Sequence, residues 1–549
     1  MSRAILIGLD YGTGGAKVCV LSDRGEVLHH AYEEYPQYHD RPGYSEHDAT
    51  RYWEACVRLV RDSVRAIGSR SADIVAIGLS CALPSLVMVD ERGEPVARAI
   101  NLMDRRAVSE VEEIKAKVGA ERLVELTGNR IEDHPALVNM LWLKRHELDV
   151  FERTKVGLTV DGFVALKLTG RATLNRSAAA FFGVAYDIHR CEFDHRVLDQ
   201  IGIGADRLPE LVDCAEVVGT VLPEAASLLG IPSTCAVVGG QVDCNAAWIA
   251  GGAVEPGDFQ LNLGTCGVIG VVHDQTNFIA SLAGRQVVNI PYTTDVRRMY
   301  SAVAVTMTGG QALRYLRDVI GGIERSTAST LDVNVYDLLT LQASGVPAGS
   351  EGLLALPYFM GERTPLWDSS ARAAYVGMSL HHGRGHLIRA MLEGVAYAMR
   401  WALDVLREGH IVIREPLVFN EGGAKSAFWR RVVTDVLEVR TANLIKGGGA
   451  ALGDAILAGV GCGVFPGFHV AKQFCEVGEE LKPDPRTVEL YRAGFAVFQE
   501  VYLSLRKPVA ALAGSEDPAL SAPDSEEVAA GWGELATGRE EVTPEGQAV

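Results

Sequence analysis

No two of the ten cysteines stand in a Cys-x-x-Cys spacing, and they are scattered from Cys19 to Cys475. That pattern supplies neither a zinc-binding set nor a disulfide framework, so reduced, mostly buried thiols and a cytoplasmic location are expected. Long hydrophobic runs are missing as well. The opening run Ala4-Ile5-Leu6-Ile7-Gly8-Leu9 ends at Asp10, too soon for the core of a signal peptide. The longest uncharged stretches, 225–242 and 455–471, are broken by Pro232 or Pro466 and by glycines, which argues against a membrane-spanning helix. Positive charge is in deficit: 52 Lys and Arg against 70 Asp and Glu leave a net charge of −18. A broad footprint for nucleic acid or an anionic membrane is thereby excluded, while a local pocket for phosphates is not.

The 549 residues exceed what one core accommodates, and 48% hydrophobic with 22% charged residues describes an ordinary globular chain of two or three domains. Acid is concentrated at the end, where residues 511–549 hold nine Asp or Glu against Arg539. That segment is rich in Ala, Gly, Ser and Pro and has little to bury, so residues 509–549 read as a disordered acidic tail.

Residues 5–9 and 16–21 read as two strands joined by Asp10-Tyr11-Gly12-Thr13-Gly14-Gly15, a hairpin with a glycine-rich tip. Strand, Gly-Thr-x-Gly and strand recur at 259–263, Gly264-Thr265-Cys266-Gly267 and 268–272. In that register Asp10 faces the uncharged Asn262, so only the first half carries the carboxylate. A duplicated unit implies two similar domains with a cleft between them, divided near residues 250–258. Elsewhere strand patterns (74–79, 86–89) alternate with helical ones (52–66, 108–118, 137–147, 386–406, 426–439, 450–460), an α/β arrangement.

Glycine-rich tips let backbone N–H groups converge on phosphate oxygens, with Thr13 or Thr265 adding a hydroxyl; the same residues also serve an ordinary hairpin. Asp10, ending its strand beside the first tip, is placed either to hold Mg²⁺ near phosphates or to accept hydrogen bonds within the turn. Asp243 heads a helix after a strand and the corner Gly239-Gly240. It reads as a plain N-cap or as a general base whose ionised form the helix dipole favours. Glu421-Gly422-Gly423-Ala424-Lys425-Ser426 and Thr308-Gly309-Gly310-Gln311 each precede a helix and admit a nucleotide only if they meet in space. His381, His382 and His386 read as turn and cap residues, because Gly383 and Gly385 break the helix a metal pair would need.

Gly361-Glu362-Arg363-Thr364-Pro365-Leu366-Trp367-Asp368, the following 371–378, and His386 through Gly394 together resemble the second signature of the FGGY carbohydrate kinases. Residues 137–147 are similar to the first, with Asn139 where Lys is usual. The resemblance runs from Ile5 to about Lys507. It implies two actin-like, RNase H-like domains: residues 1–252 holding the sugar and the catalytic base, and residues 253–508 holding the nucleotide, closing over ATP and Mg²⁺. By the same resemblance, Gly12 and Thr13 with Asp10 form the first phosphate motif, and Gly264, Thr265 and Gly267 the second. Gly309, Gly310 and the segment Gly422, Gly423, Ala424, Lys425, Ser426 lie on the nucleotide, and Asp243 is the base. Asp104 and Arg106, the family's Asp-x-Arg, shape the sugar side. Xylulokinases of the family carry Gln-x-His-Gly after the strand corresponding to 74–79, whereas this chain reads Ser80-Cys81-Ala82-Leu83-Pro84-Ser85, which argues against D-xylulose. The expected partner is a small sugar or polyol such as a ketopentose or tetritol; a homodimer is left open. The rival readings on this fold are an actin-like ATPase and a non-catalytic sugar sensor.

Overall fold

The computed structural model of the chain describes residues 4–275, 287–420 and 422–512. Two seven-stranded sheets organise it. The first contains β1 (Ile5–Tyr11), β2 (Gly15–Ser22), β3 (Val27–Glu34), β4 (Ile74–Cys81), β5 (Val217–Thr220), β6 (Ala236–Val238) and β7 (Gln241–Val242). Their order is β5-β6-β4-β1-β2-β3, with β7 pairing β4. Every residue of β1 is buried, as a near-continuous apolar run covered on both faces requires.

The second sheet contains β8 (Phe259–Leu263), β9 (Gly267–His273), β10 (Val288–Pro291), β11 (Tyr300–Thr306), β12 (Leu417–Asn420), β13 (Thr441–Lys446) and β14 (Glu476–Val477). They run β10-β11-β9-β8-β12-β13-β14. Both sheets share one plan: an antiparallel meander (β1-β2-β3; β8-β9-β11) followed by parallel strands on the other side of the first strand (β4, β6; β12, β13). The duplication read from the two glycine tips is therefore a duplication of whole sheets.

The helices fall where apolar periodicity placed them, among them Thr50–Ile67, Val108–Val118, Ala136–His146, Arg384–Glu408 and Ala427–Leu437. The last described helix, Pro485–Leu512, extends four residues into the segment read as a tail. Residues 513–549 lie outside the described residues. No helix among the described residues is long and apolar enough to cross a membrane, and the ten cysteines are free thiols.

Two helices cross between the halves. α1 (Asp243–Ala250) follows the first sheet yet packs on the second: a Cβ on Gly270 of β9 would lie 1.8 Å from the Trp248 ring. Asn245 of α1 donates to Pro291 O at 3.1 Å and accepts from Ser301 Oγ at 2.9 Å, fixing it to β10 and β11. α2 (Ala450–Gly461) belongs to the second half yet lies on the first sheet. Cβ atoms on Gly8 and Gly78 would sit 1.9 Å from Ala451 O and 2.0 Å from Asp454 O, so only glycine permits this approach. α1 and α2 touch through Gly453 against Ala246. Leu6, Leu21, Ala76, Trp248, Val272, Tyr292 and Ile456 belong to one buried cluster spanning the interface.

Candidate functional site

Strand register builds the first part of the site. Asp10 at the end of β1 is paired with Lys17 of β2 on one side and Ser80 of β4 on the other, and Ser80 in turn with Gln241 of β7. Residues directly opposite across neighbouring strands share a face, so Lys17, Asp10, Ser80 and Gln241 form one polar row at the carboxyl end of the parallel strands. Lys17 Nζ lies 3.2 Å from Asp10 Oδ2, and Ser80 Oγ donates to Asp10 Oδ1 at 3.2 Å. Burial raises the Asp10 pKa, against the pull of the Lys17 charge and of both hydrogen bonds. In the second sheet the matching row is Val268-Asn262-Asn420, without a charge.

At the adjoining tip three successive carbonyls are taken up by side chains from outside the turn. Tyr35 OH donates to Gly12 O, Gln37 Nε2 to Thr13 O at 2.8 Å, and Tyr32 OH to Gly14 O at 3.1 Å. Gly12 N donates within the turn to Gly15 O at 3.0 Å, and these bonds together fix the shape of the tip.

Asp243 is the first residue of α1, after the N-cap Val242, and its Oδ1 accepts from Cys244 N at 2.6 Å. Its pKa is pushed up to about 7, first by burial and then by the Asp10 charge, with the Cys244 N–H and Lys17 opposing. The helix dipole was expected to keep this carboxylate ionised. α1 has only eight residues, and desolvation beside Asp10 and Asp161 outweighs its N-terminus. Asp161 is itself buried, accepting from Cys81 Sγ at 3.1 Å and Asn175 Nδ2 at 2.8 Å.

The nucleotide-side segments converge at the end of β8. Gly309 N donates to Thr265 O at 2.8 Å and Gly310 N to Gly264 O at 2.6 Å. A Cβ on Gly423 would lie 2.6 Å from Leu263 Cβ, which places the turn Gly422–Lys425 on the same strand end. Gly267 begins β9 opposite Thr306. Ser426 is committed to the backbone, its Oγ accepting from Trp429 N at 3.3 Å to cap Ala427–Leu437, while Lys425 is exposed. Thr308 Oγ1 and Asn262 Oδ1 are buried beside this cradle without a hydrogen-bond partner among the described residues. The unsatisfied buried hydroxyl of Thr308, next to glycine backbones, fits a polyphosphate oxygen that would accept from it. One carboxylate, Asp10, rather than a cage fits Mg²⁺ shared with phosphate oxygens; among the described residues no group of three His, Cys, Asp or Glu forms an ion cage.

Asp104 and Arg106 are paired with each other. Arg106 donates to Asp104 Oδ1 at 2.9 Å, to Asp104 Oδ2 at 2.7 Å and to Glu46 at 2.7 Å, and it lies between the Tyr44 and Trp142 rings. Asp104 also accepts from Ser45 N at 2.7 Å. Both side chains are buried and engaged with each other, an arrangement that braces their loop. The pocket that opens between the halves is walled by Leu83, Pro84, Asn129, Arg130, Arg363 and Trp367, among others.

The signature Gly361 to Asp368 lends Arg363 and Trp367 to that pocket, while its Glu362 is scaffold. Glu362 accepts from Met307 N at 2.8 Å and from Thr306 Oγ1 at 2.5 Å, holding the strand that leads into Gly309. Burial pushes its pKa up to about 7. His386 Nε2 lies 2.9 Å from Glu351, and its Nδ1 accepts from Gly383 N at the start of Arg384–Glu408, a capping role. Sequence reasoning missed Ser80, Gln241, Asp161 and Asp454. Lys17 was within reach, because a hairpin turning at 12–14 pairs it with Asp10.

The N-terminal domain of the FGGY family of carbohydrate kinases matches residues 5–250, and its C-terminal domain residues 260–462. Xylulose kinase of Bacillus subtilis (strain 168) is 28% identical over 498 residues, 90% of this chain and 96% of the relative. Gluconokinase of the same organism is 26% identical over 442 residues, 79% of this chain and 83% of the relative. The crystal structure of xylulose kinase from Rhodospirillum rubrum superposes with a TM-score of 0.84 at 28% identity, covering 92% of this chain and 99% of that one. Two sheets of one plan, a cleft between them and glycine tips at their strand ends define a two-domain actin-like kinase fold. This chain belongs to the FGGY family of carbohydrate kinases.

Proposed function

We propose that this chain transfers the γ-phosphoryl group of ATP to a hydroxyl of a small sugar or polyol, with Asp243 as general base. The observation that carries the reading is Asp243 beside Asp10 with its pKa raised to about 7, where a base at neutral pH is both ionised and strong enough to take a hydroxyl proton. The Gly12–Gly14 tip and the cradle of Gly264, Thr265, Gly309, Gly310 and Gly422 orient the phosphates from the two halves. Residues 1–252 serve the sugar and residues 253–508 the nucleotide. Asp10 is the residue to hold Mg²⁺, which, when bound, neutralises charge on the transferring group. Lys17 holds the Asp10 carboxylate, and the two halves close to exclude water.

Relatives named as xylulose kinase and gluconokinase support a polyhydroxylated acceptor of that size. We assign it to the pocket beginning at Leu83 and Pro84, just past Cys81 at the end of β4. The test is an ADP-release assay over a panel of sugars and polyols, with Asp243→Ala alongside. Loss of at least about 100-fold in turnover with ATP affinity nearly intact is expected; a variant retaining about a tenth of the rate would remove Asp243 from the role.

A further inference from the structure

Asp454, in the second turn of α2, is fully buried and reaches across from the other half of the chain to the polar row of the first sheet. Its Oδ2 lies 2.7 Å from Ser80 Oγ, and its Oδ1 accepts from Gln241 Nε2 at 2.9 Å. Ser80 Oγ is at the same time 3.2 Å from Asp10 Oδ1. A serine hydroxyl has one proton, so it donates to only one of these carboxyl groups and accepts from the other. For both contacts to be hydrogen bonds, one carboxyl must itself carry a proton. Asp10 has the Lys17 ammonium 3.2 Å away. Asp454 has no cationic partner among the described residues, and its charged neighbours are Asp10 and Asp161. The proton therefore belongs on Asp454.

We propose that Asp454 is a positioning residue: as a neutral carboxylic acid it donates to Ser80 Oγ and thereby aims the Ser80 hydroxyl at Asp10, fixing the carboxylate that holds the metal. Burial first, and then the Asp10 charge, raise the Asp454 pKa well above its ordinary value, in line with this assignment. The backbone supports the same contact, because glycine at positions 8 and 78 lets α2 approach β1 and β4 closely enough to deliver the side chain. The orientation of a carboxylate in one half thus depends on a helix contributed by the other. The inference rests on the kinase reading of Asp10 but makes demands of its own.

Asparagine reproduces a neutral acid here, its amide donating to Ser80 and its oxygen accepting from Gln241, whereas alanine removes both. The experiment measures Mn²⁺·ADP binding to the full chain by electron paramagnetic resonance, together with infrared difference spectra of wild type minus Asp454→Asn. Asp454→Ala and Ser80→Ala are expected to weaken Mn²⁺·ADP binding by about tenfold or more, the effect of losing one hydrogen bond to a charged group. Asp454→Asn should rescue binding to within about twofold of wild type on the same scale. The infrared difference should contain the carbonyl stretch of a protonated carboxylic acid. Asparagine failing as badly as alanine, the absence of that band, or Ser80→Ala binding like wild type would each overturn the proposal. Ser80→Ala removes a single hydroxyl, so it carries the test if Asp454→Ala does not fold. Failure of the kinase reading looks different: no sugar would release ADP, while the order of Mn²⁺·ADP affinities stays as stated.

Discussion

Lys17 Nζ lies 3.2 Å from Asp10 Oδ2, and the same ammonium group also lowers the pKa of Asp243. Two carboxylates of the cleft thus share one cation. With its pKa near 7, Asp243 must lose its proton to act as a base, so kcat/KM is expected to fall as pH drops through about 7. Lys17→Gln should move that limb to higher pH. A pH profile of both proteins checks this, and a wild-type limb lying below pH 5 would contradict it.

Stability should answer the same group with the opposite preference. The folded pKa of Asp243 stands above the ordinary aspartate value of 3.8, so the native state binds the proton more tightly and loses stability as pH rises from about 4 through about 7. Asp243→Asn removes that loss. Urea denaturation should show the variant more stable at pH 8 by on the order of 1–4 kcal/mol, the lower part of the range reflecting the partial exposure of Asp243. The gain should shrink as the pH is lowered.

Glu362 is held by Met307 N, Arg363 N and Thr306 Oγ1 just upstream of Gly309 and Gly310. Glu362→Gln keeps an acceptor for the two N–H groups and should leave the KM for ATP within about twofold. Glu362→Ala leaves those N–H groups unpaired in a buried site, and a loss of roughly 2–4 kcal/mol with a raised KM for ATP is expected. Thermal denaturation and ATP titrations separate the two variants.

Arg106 sits between Tyr44 and Trp142 and pairs with Asp104 and Glu46. Arg106→Ala strands two carboxylates, so about 3 kcal/mol or more of stability should be lost. The KM for the sugar in the surviving folded enzyme should hardly change. A large KM effect at unchanged stability would return the pair to the substrate.

Gly78→Ala would press a methyl group to within 2.0 Å of Asp454 O, a backbone atom of a packed helix. More than about 3 kcal/mol of destabilisation is expected, read from denaturant midpoints.

Much of this was open to the sequence because the chemistry is local. A glycine tip after an aspartate, its copy in the second half, and an aspartate opening a helix after a strand are contiguous patterns, and all three lie where strand ends meet. The signature from Gly361 to Asp368 was the plainest mark of family. Glu362 and Asp368 turn out to be tied to the backbone and to Tyr502, which gives these two acids a bracing role beside Arg363 and Trp367 on the pocket wall. Asp454 gave no warning, since a single acid in a helix of small residues reads as a solvated charge until α2 is laid on β1 and β4. For Asp104 and Arg106 the sequence showed the pair and not its surroundings: Tyr44, Glu46 and Trp142, distant in sequence, close around them.

The exchange of α1 and α2 between the halves has a bearing on how the molecule is made. Residues 1–252 expressed by themselves would leave Gly8, Gly78 and their neighbouring apolar side chains uncovered, because the helix that shields them is encoded some two hundred residues later. The first sheet acquires this cover only once the ribosome has reached α2, nearly at the end of the polypeptide.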